Sequence, residues 1–434
     1  MNLSTEKPNP DRVIIVGSYQ KNQVKAEFDE LLEETILLAQ TANLIVEEVF
    51  TQGLAKYKSD TYIGKGKLAE ITTYCKNSNI FTLIFVDNLT PAQAKYISKA
   101  TEANVVDRTE LILSIFAKHA QTSIAMIQVE LAQLEYSYSK LKNLWQHFSR
   151  IVGGVGTKGP GESQLEIDRR LVRKRISFLK NKAEKLKSLT HEQRKNREGF
   201  FKVTLVGYTN AGKSTLFNTL TKSDIYVADK LFATLDSKSK LLYNEAGKVI
   251  ITDTIGFIRN LPTILISSFY STLTDVVDAD LLLHVVDASA PGMERRIEEV
   301  NKVIKDINAD DVPVLMVFNK MDTIKGLASK FLLKNIRLTY VNSVFISALE
   351  KSNIKAINPE IQRILLHNEK EKKIEIPIEL KSLISFLDKK YTSNKKLYLK
   401  ENMSYEYTFN MSDSEFLEIK KQVDKYHELQ FINS

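Results

Sequence analysis

Short apolar runs alternate with stretches of helical spacing along the first quarter of the chain. Val13–Tyr19 (VIIVGSY) is apolar without interruption and predicts a buried strand. Phe28, Leu31, Leu32 and Ile36 then recur at helical spacing, which predicts a helix over Ala26–Gln40. The same alternation continues with strand over Leu44–Phe50, helix over Gly64–Tyr74, strand over Ile80–Asp87 and helix over Pro91–Thr101. Pro91 suits a first helical turn, where its missing N–H costs nothing. Val105-Val106 makes a short strand before Asp107. Strands separated by helices imply a parallel α/β domain, assigned to residues 1–115.

The pattern then lengthens. Leu111, Ile115, Ile124, Ile127, Leu131, Leu134, Tyr138 and Leu141 trace an apolar stripe, so a long helix is expected over Leu111–Phe148. Five glycines among the nine residues Gly153–Gly161 exclude a helix or a packed strand there. Helical spacing returns at Glu162 and runs to about Arg197. Residues 116–198 thus predict a helical hairpin with a glycine-rich tip.

Phe200–Val206 reads as a further buried strand, and the segment after it carries chemistry. Gly207-Tyr208-Thr209-Asn210-Ala211-Gly212-Lys213-Ser214 is a Gly-x4-Gly-Lys-Ser phosphate loop between a strand and a helix. Its backbone N–H groups suit a diphosphate, Lys213 suits the β- and γ-phosphates, and the Ser214 hydroxyl suits Mg²⁺. Downstream, Phe232-Ala233-Thr234-Leu235-Asp236 forms a loop whose Thr234 lies 21 positions after Lys213 and is a second hydroxyl candidate for the metal. Val249–Thr252 leads to Asp253-Thr254-Ile255-Gly256, a strand ending in a metal-side carboxylate, with Gly256 free to offer its N–H to the γ-phosphate. Leu281–Asp287 and Val314–Phe318 are two more apolar strands.

Asn319-Lys320-Met321-Asp322 comes directly after the second of them. The Asp322 carboxylate can accept from both N1–H and N2–H₂ of guanine, a pair that adenine lacks; Asn319 can reach the base edge and the Lys320 stem can cover the ring. Ser347-Ala348-Leu349, after the strand Val344–Ile346, offers a backbone N–H to guanine O6. Residues 199–368 are therefore expected to form a nucleotide domain that binds GTP and GDP with Mg²⁺. Lys213, Thr234 and Gly256 are its catalytic candidates, and Ser214, Thr234 and Asp253 its metal ligands. Phe257 stands where many small GTPases use a glutamine to orient the attacking water. Slow hydrolysis in isolation, raised by a partner, is the expectation.

Residues 369–434 predict a small α+β domain: a helix over Leu380–Lys390, strands over Lys396–Lys400 and Ser404–Asn410, and a helix over Glu415–His427. No long apolar stretch predicts a membrane span, leaving at most peripheral membrane association. Cys75 is the single cysteine, which excludes an internal disulfide and suits the cytoplasm. A monomer is expected. The net charge of +8 is uneven: Arg169–Arg197 holds 12 Lys or Arg against Glu184 and Glu192, a surplus of +10, so the remainder is about −2. Such a localised surplus points to a phosphate backbone, with a plain solvated helix face as the competing reading.

Gly153–Arg170, GGVGTKGPGESQLEIDRR, resembles the signature of the HflX family of translational GTPases. Asp107–Leu113 (DRTELIL), Gln128–Leu134 (QVELAQL), Phe232–Asp236 and Asp253–Ile258 (DTIGFI) resemble further blocks of that family. The resemblance spans about Val13–Glu350. It implies an N-terminal parallel α/β domain with a long helical hairpin, a Ras-like P-loop G domain and a small C-terminal domain. It also implies a cytoplasmic GTPase that binds the large (50S) ribosomal subunit, contacts rRNA through residues 150–197, and splits or rescues stalled or idle ribosomes under stress. An ATP-linked activity of the N-terminal domain is implied too, although no second phosphate loop is found there. The alternative from another class is a GTP-switched adaptor in a protein or membrane-associated complex.

Overall fold

The computed structural model describes residues 11–22, 24–55, 61–151, 160–195, 200–222, 231–232, 237–244, 247–259, 270–324, 327–340, 342–368, 370–390, 395–399, 403–411, 419–420 and 423. The glycine tip at 152–159 and Ala233-Thr234-Leu235-Asp236 lie outside them, as does most of the helix expected over Glu415–His427.

The N-terminal elements are β1 (Arg12–Gln20), α1 (Lys25–Thr41), β2 (Ile45–Leu54), α2 (Lys65–Ser78), β3 (Thr82–Phe85), α3 (Pro91–Thr101), β4 (Asn104–Val106) and α4 (Arg108–His119). The strands form a parallel sheet in the order β2-β1-β3-β4. Val13, Ile14, Ile15 and Val16 are all buried because helices cover both faces, which is why β1 reads as a continuous apolar run. Thr90 caps α3 reciprocally with Gln93, and Pro91 occupies the first turn.

Where the apolar stripe predicts one helix over Leu111–Phe148, the structure has two. α4 ends where Ala120 turns extended, and α5 (Ser123–Ile151) restarts with the Thr122 hydroxyl accepting from Ala125 N–H at 3.1 Å. The cap satisfies an orphan amide and lets α5 fold back, so that Ala125, Val129 and Ala132 join Leu111, Ile115 and Phe116 in one core. α6 (Pro160–Lys195) returns along α5. Ile127, Leu131 and Leu179 form the seam.

The second sheet contains β5 (Phe201–Val206), β6 (Lys238–Asn244), β7 (Gly247–Asp253), β8 (Leu281–Asp287), β9 (Val314–Asn319) and β10 (Ser343–Phe345). Its order is β10-β9-β8-β5-β7-β6. All neighbours pair in parallel except β6, which the apolar pattern does not announce and which runs antiparallel to β7 at the edge. Its Lys238 and Lys240 suit an edge strand that must not recruit another. Around the sheet lie α7 (Lys213–Thr221), α8 (Tyr270–Val277), α9 (Met293–Asp306), α10 (Leu327–Thr339) and α11 (Ile357–Asn368).

The last described unit is antiparallel: β11 (Lys370–Pro377), β12 (Lys395–Leu399) and β13 (Ser404–Met411), in the order β11-β13-β12, with α12 (Lys381–Lys390). Ile376, Leu383, Leu387, Tyr407 and Phe409 form its core. Among the described residues, no helix is long and apolar enough to cross a membrane.

Candidate functional site

The phosphate loop joins β5 to α7, and its glycines are fixed by the protein itself. Gly207 has φ +149°, and a Cβ there would lie 2.2 Å from the carbonyl oxygen of Val285 on β8. Gly212 has φ +91°, and a Cβ would lie 2.2 Å from Nδ2 of Asn319. Both positions exclude a side chain before any nucleotide arrives. Asn210 also adopts a left-handed conformation, at φ +60°, where asparagine is tolerated.

Asn319 ends β9 and is buried. Its amide donates to the Ala211 carbonyl at 2.9 Å, and its side-chain oxygen accepts from Ala348 N–H at 2.9 Å. Sequence reasoning places this side chain at the base edge; here it braces the phosphate loop against the segment Ser347-Ala348-Leu349. Asp322 accepts from the Ser347 hydroxyl at 2.5 Å, and Lys320, left-handed at φ +64°, pairs with Asp287 at 2.8 Å. Met321 N–H donates to Ile346 O at 3.2 Å, while Leu349 is exposed. Thus Asn319–Asp322 and Ser347–Leu349 converge on one end of the sheet, beside the phosphate loop.

Lys213 is buried and donates to the carbonyls of Gly207 and Tyr208 at 3.0 and 2.9 Å. Burial pulls its pKa down to about 8, against a smaller opposing pull from Asp253. The Ser214 hydroxyl donates to Asp253 Oδ2 at 2.7 Å, which brings two hard oxygen donors together. Thr254 anchors to Leu205 O at 2.6 Å. Gly256 packs so tightly that a Cβ would lie 2.9 Å from Thr209 Cα and 3.0 Å from Lys213 Nζ. Phe257 is buried in the core cluster that also holds Ile255 and Ile258. Phe232 meets Phe116 of α4 edge-on at 4.7 Å. His284 on β8, unremarked in the sequence, is buried, its Nδ1 has no hydrogen-bond partner among the described residues, and burial next to Lys213 drives its pKa down to about 3.

A phosphate loop, a strand-end aspartate and an Asn-Lys-Met-Asp segment at the carboxyl ends of parallel strands are the parts of a GTP site. Comparison with known proteins narrows the family. Residues 29–117 match a family described as "GTP-binding GTPase N-terminal", residues 119–197 its "GTP-binding GTPase Middle Region", and residues 202–320 a family described as "50S ribosome-binding GTPase". A protein named GTPase HflX from Flavobacterium psychrophilum is 42% identical over 83% of this chain and 91% of its own length. One of the same name from Caldanaerobacter subterraneus is 42% identical over 84% of this chain and 82% of its own.

The chain belongs to the HflX family of GTPases.

It binds and hydrolyses GTP, as that family does. Among solved structures, the chain resembles SsGBP in complex with GDP, at 25% identity and a TM-score of 0.48, covering 82% of this chain and 98% of that one. In this HflX-family chain the phosphate loop does not stand apart from the N-terminal unit. A cleft of about 480 Å³ opens between α1 and α9, floored by Tyr208, Thr209 and Asn210. The α1 carboxylates of Glu27 and Glu30 face Arg295, with Glu27 at 3.1 Å, and Leu231 N–H donates to the Thr41 hydroxyl at 3.3 Å. Sequence reasoning misses α1 as a neighbour of the phosphate loop. The available signal is its row of carboxylates, Glu27, Glu30 and Glu34, on one helical face.

Proposed function

We propose that this chain is a ribosome-associated GTPase whose hydrolysis is slow alone and raised by the large ribosomal subunit, and whose work is to split or rescue stalled or idle ribosomes in the cytoplasm. The observation that carries the reading is the α5–α6 hairpin. Arg170, Lys174 and Lys182 project to solvent from α6, with the apolar side chains of Ile167, Leu171 and Phe178 exposed among them. Cations interleaved with apolar groups suit RNA, where phosphates and unstacked bases are met together. The positive surplus is smaller in effect than the sequence count, because Arg175 pairs with Glu130 and Lys180 with Glu135 across the hairpin, at 2.7 and 2.8 Å. The family description of residues 202–320 as a 50S ribosome-binding GTPase supports the same partner.

In this reading the chain acts as a monomer in four parts, with boundaries near residues 115, 198 and 368. Asp322 accepts from the guanine N1–H and N2–H₂, and the Ala348 region donates to O6. Lys213 leaves the carbonyls of Gly207 and Tyr208 to meet the β- and γ-phosphates, and Gly256 N–H turns to the γ-phosphate. Ser214 and Asp253, joined by Thr234, would hold Mg²⁺, and the chemistry it would supply there is neutralisation of phosphate charge. Phe257 has no polar atom with which to orient the attacking water, so the ribosome supplies or orders that group.

Sedimentation on a sucrose gradient with a non-hydrolysable GTP analogue tests the proposal. Co-migration with the large subunit, dependent on the analogue, is expected. A chain that stays at the top of the gradient would be a GTP-switched adaptor instead.

A further inference from the structure

β8 is apolar up to its terminal Asp287 except for one buried residue, His284. The strand lies against the phosphate loop: His284 pairs with Val206 of β5, and a Cβ at Gly207 would meet the Val285 carbonyl. Its neighbours Leu282, Leu283, Val285 and Val286 are buried in cores on both faces of the sheet. A histidine in such a strand is costly unless its ring nitrogens are met. Burial and the nearby Lys213 charge keep the ring neutral, so one nitrogen donates and the other accepts. Yet Nδ1 has no hydrogen-bond partner among the described residues. Packing alone asks for a leucine or valine here, as at the neighbouring positions. The imidazole needs another explanation.

The phosphate loop is tied down side chain by side chain. Tyr208 donates to Glu34 Oε1 at 2.6 Å, and Oε2 of that carboxylate accepts from Arg108 at 2.5 Å. Lys213 donates to two loop carbonyls, Ser214 donates to Asp253, and Asn319 holds the Ala211 carbonyl. Thr209 differs. It is buried to 3% exposure, and its hydroxyl has no hydrogen-bond partner among the described residues. Thr209 and His284 line the same small cavity of about 10 Å³, between the loop, β8 and α9. That is close to the room of a single water molecule, which needs roughly 10–15 Å³ and two or more polar partners. Of the charged groups around the cavity, Asp287 is paired with Lys320 at 2.8 Å, and the Arg296 guanidinium lies 5.1 Å from the Tyr208 ring centre. The space is too small for a phosphate or a hydrated ion.

We infer that His284 is a positioning residue of the GTP site: with Thr209 it holds one buried water, which ties the Thr209 limb of the phosphate loop to β8. The Thr209 hydroxyl both donates and accepts, and the ring offers one or the other at Nδ1, so a single water can meet both groups. Left unmet, each would carry the full desolvation penalty of a buried polar group; one shared water removes both penalties. The gain for the site is preorganisation. Backbone N–H groups that meet an anion work best when they are set before the anion arrives. Asn319 of β9 sets the Ala211 limb of the loop directly, at 2.9 Å. His284 of the adjacent strand β8 sets the Thr209 limb through water. The inference rests on the reading of Gly207–Ser214 as the phosphate cradle and is independent of the ribosome.

The test uses the full chain without ribosomes. A crystal structure of the wild type with GDP is expected to show one ordered water within hydrogen-bonding distance of both His284 Nδ1 and Thr209 Oγ1. GDP and a non-hydrolysable GTP analogue are then titrated into wild type, Thr209→Val, His284→Leu, the double variant and His284→Asn. Valine keeps the shape of threonine, and asparagine places a polar atom where Nδ1 stood. Thr209→Val and His284→Leu are each expected to weaken both nucleotides by about three- to tenfold, the scale of one hydrogen bond. The double variant is expected to match the singles, because all remove the same water-bridged link, and His284→Asn to recover most of the loss. A histidine that only fills space would give losses that multiply in the double variant and no recovery with the smaller asparagine. No water at that place, unchanged affinities in Thr209→Val, or multiplying losses overturns the inference. If His284→Leu fails to fold, the wild-type structure and Thr209→Val decide. Lys213→Ala checks the cradle separately: undiminished GDP binding there defeats the reading of the loop rather than the water.

Discussion

The Ser214 hydroxyl and the Asp253 carboxylate touch across 2.7 Å, one at the start of α7 and the other at the end of β7. That is an ordinary O–H···O hydrogen bond, and both groups are hard oxygen donors of the kind that would hold Mg²⁺ directly or through water. Ser214→Ala and Asp253→Asn are each expected to lower single-turnover GTP hydrolysis at least about 100-fold, the scale of losing one electrostatic stabiliser in a phosphoryl-transfer site. A magnesium titration checks the cause: both variants should need more Mg²⁺ to reach their maximum. A variant that keeps the wild-type Mg²⁺ midpoint would remove that residue from the metal site.

Asp322 stands on a buried support, the Ser347 hydroxyl. Replacing its carboxylate with an amide turns one acceptor into a donor. Guanine then faces a clash of donors, whereas xanthine presents a carbonyl at the same place. Asp322→Asn is expected to weaken GTP by about 100-fold or more and to favour xanthosine triphosphate. Competition binding with the two nucleotides measures this directly. Preserved GTP preference would move guanine recognition elsewhere.

Phe257 stands out in the sequence for what it lacks. The structure adds what it does: it is buried to 2% exposure and hydrogen-bonds its backbone to Gly207 and Thr209. Phe257→Gln therefore does not restore a water-orienting group. It places an amide in an apolar core, where loss of packing and an unmet polar group together cost about 3–5 kcal/mol. A lower melting temperature with no gain in ribosome-free hydrolysis is the expected outcome. Faster hydrolysis in the variant would mean that the side chain reaches the γ-phosphate.

Much of the site is legible in the sequence because its parts are local. Gly207–Ser214, Asp253–Gly256 and Asn319–Asp322 each combine a strand end with a loop whose residue types are dictated by one ligand group. The break between α4 and α5 is less legible: a threonine cap at Thr122 is worth about 1 kcal/mol and is easily hidden under a continuing apolar stripe. The strand β6 escapes notice because edge strands need little apolar content. The Glu34–Tyr208 contact spans 174 positions, and no local pattern encodes such a meeting. The tyrosine in the loop and the arginine of Asp107-Arg108-Thr109 are visible singly, but their connection requires the fold.

His284 gives a signature in acid. Its pKa falls from 6.5 to about 3 in the folded chain because burial disfavours the charged ring. The unfolded chain therefore binds a proton between these values while the folded chain does not. Stability from this group is fully present above pH 6.5 and is lost as the pH falls toward 3. The full shift corresponds to roughly 4–5 kcal/mol at about 1.36 kcal/mol per unit. His284→Leu is expected to flatten the fall in stability between about pH 6.5 and 4 relative to wild type, as read by urea unfolding at each pH. Parallel pH profiles for the two proteins would show that the imidazole is not held neutral.

The hairpin carries the last prediction. Arg170, Lys174 and Lys182 are exposed on α6, whereas Arg175 and Lys180 are engaged by Glu130 and Glu135. Only cations able to meet a phosphate release counterions on binding. Neutralising Arg170, Lys174 and Lys182 to glutamine should weaken association with the large subunit and lower the slope of log affinity against log salt by about 0.7–0.9 for each phosphate no longer neutralised. Neutralising Arg175 and Lys180 instead should leave that slope nearly unchanged and loosen the hairpin only slightly, since exposed ion pairs contribute about 0–1 kcal/mol. Co-sedimentation across a salt series separates the two sets. Equal slopes for both variants would show that α6 charge reaches no phosphate, and ribosome contact would then have to lie on another surface.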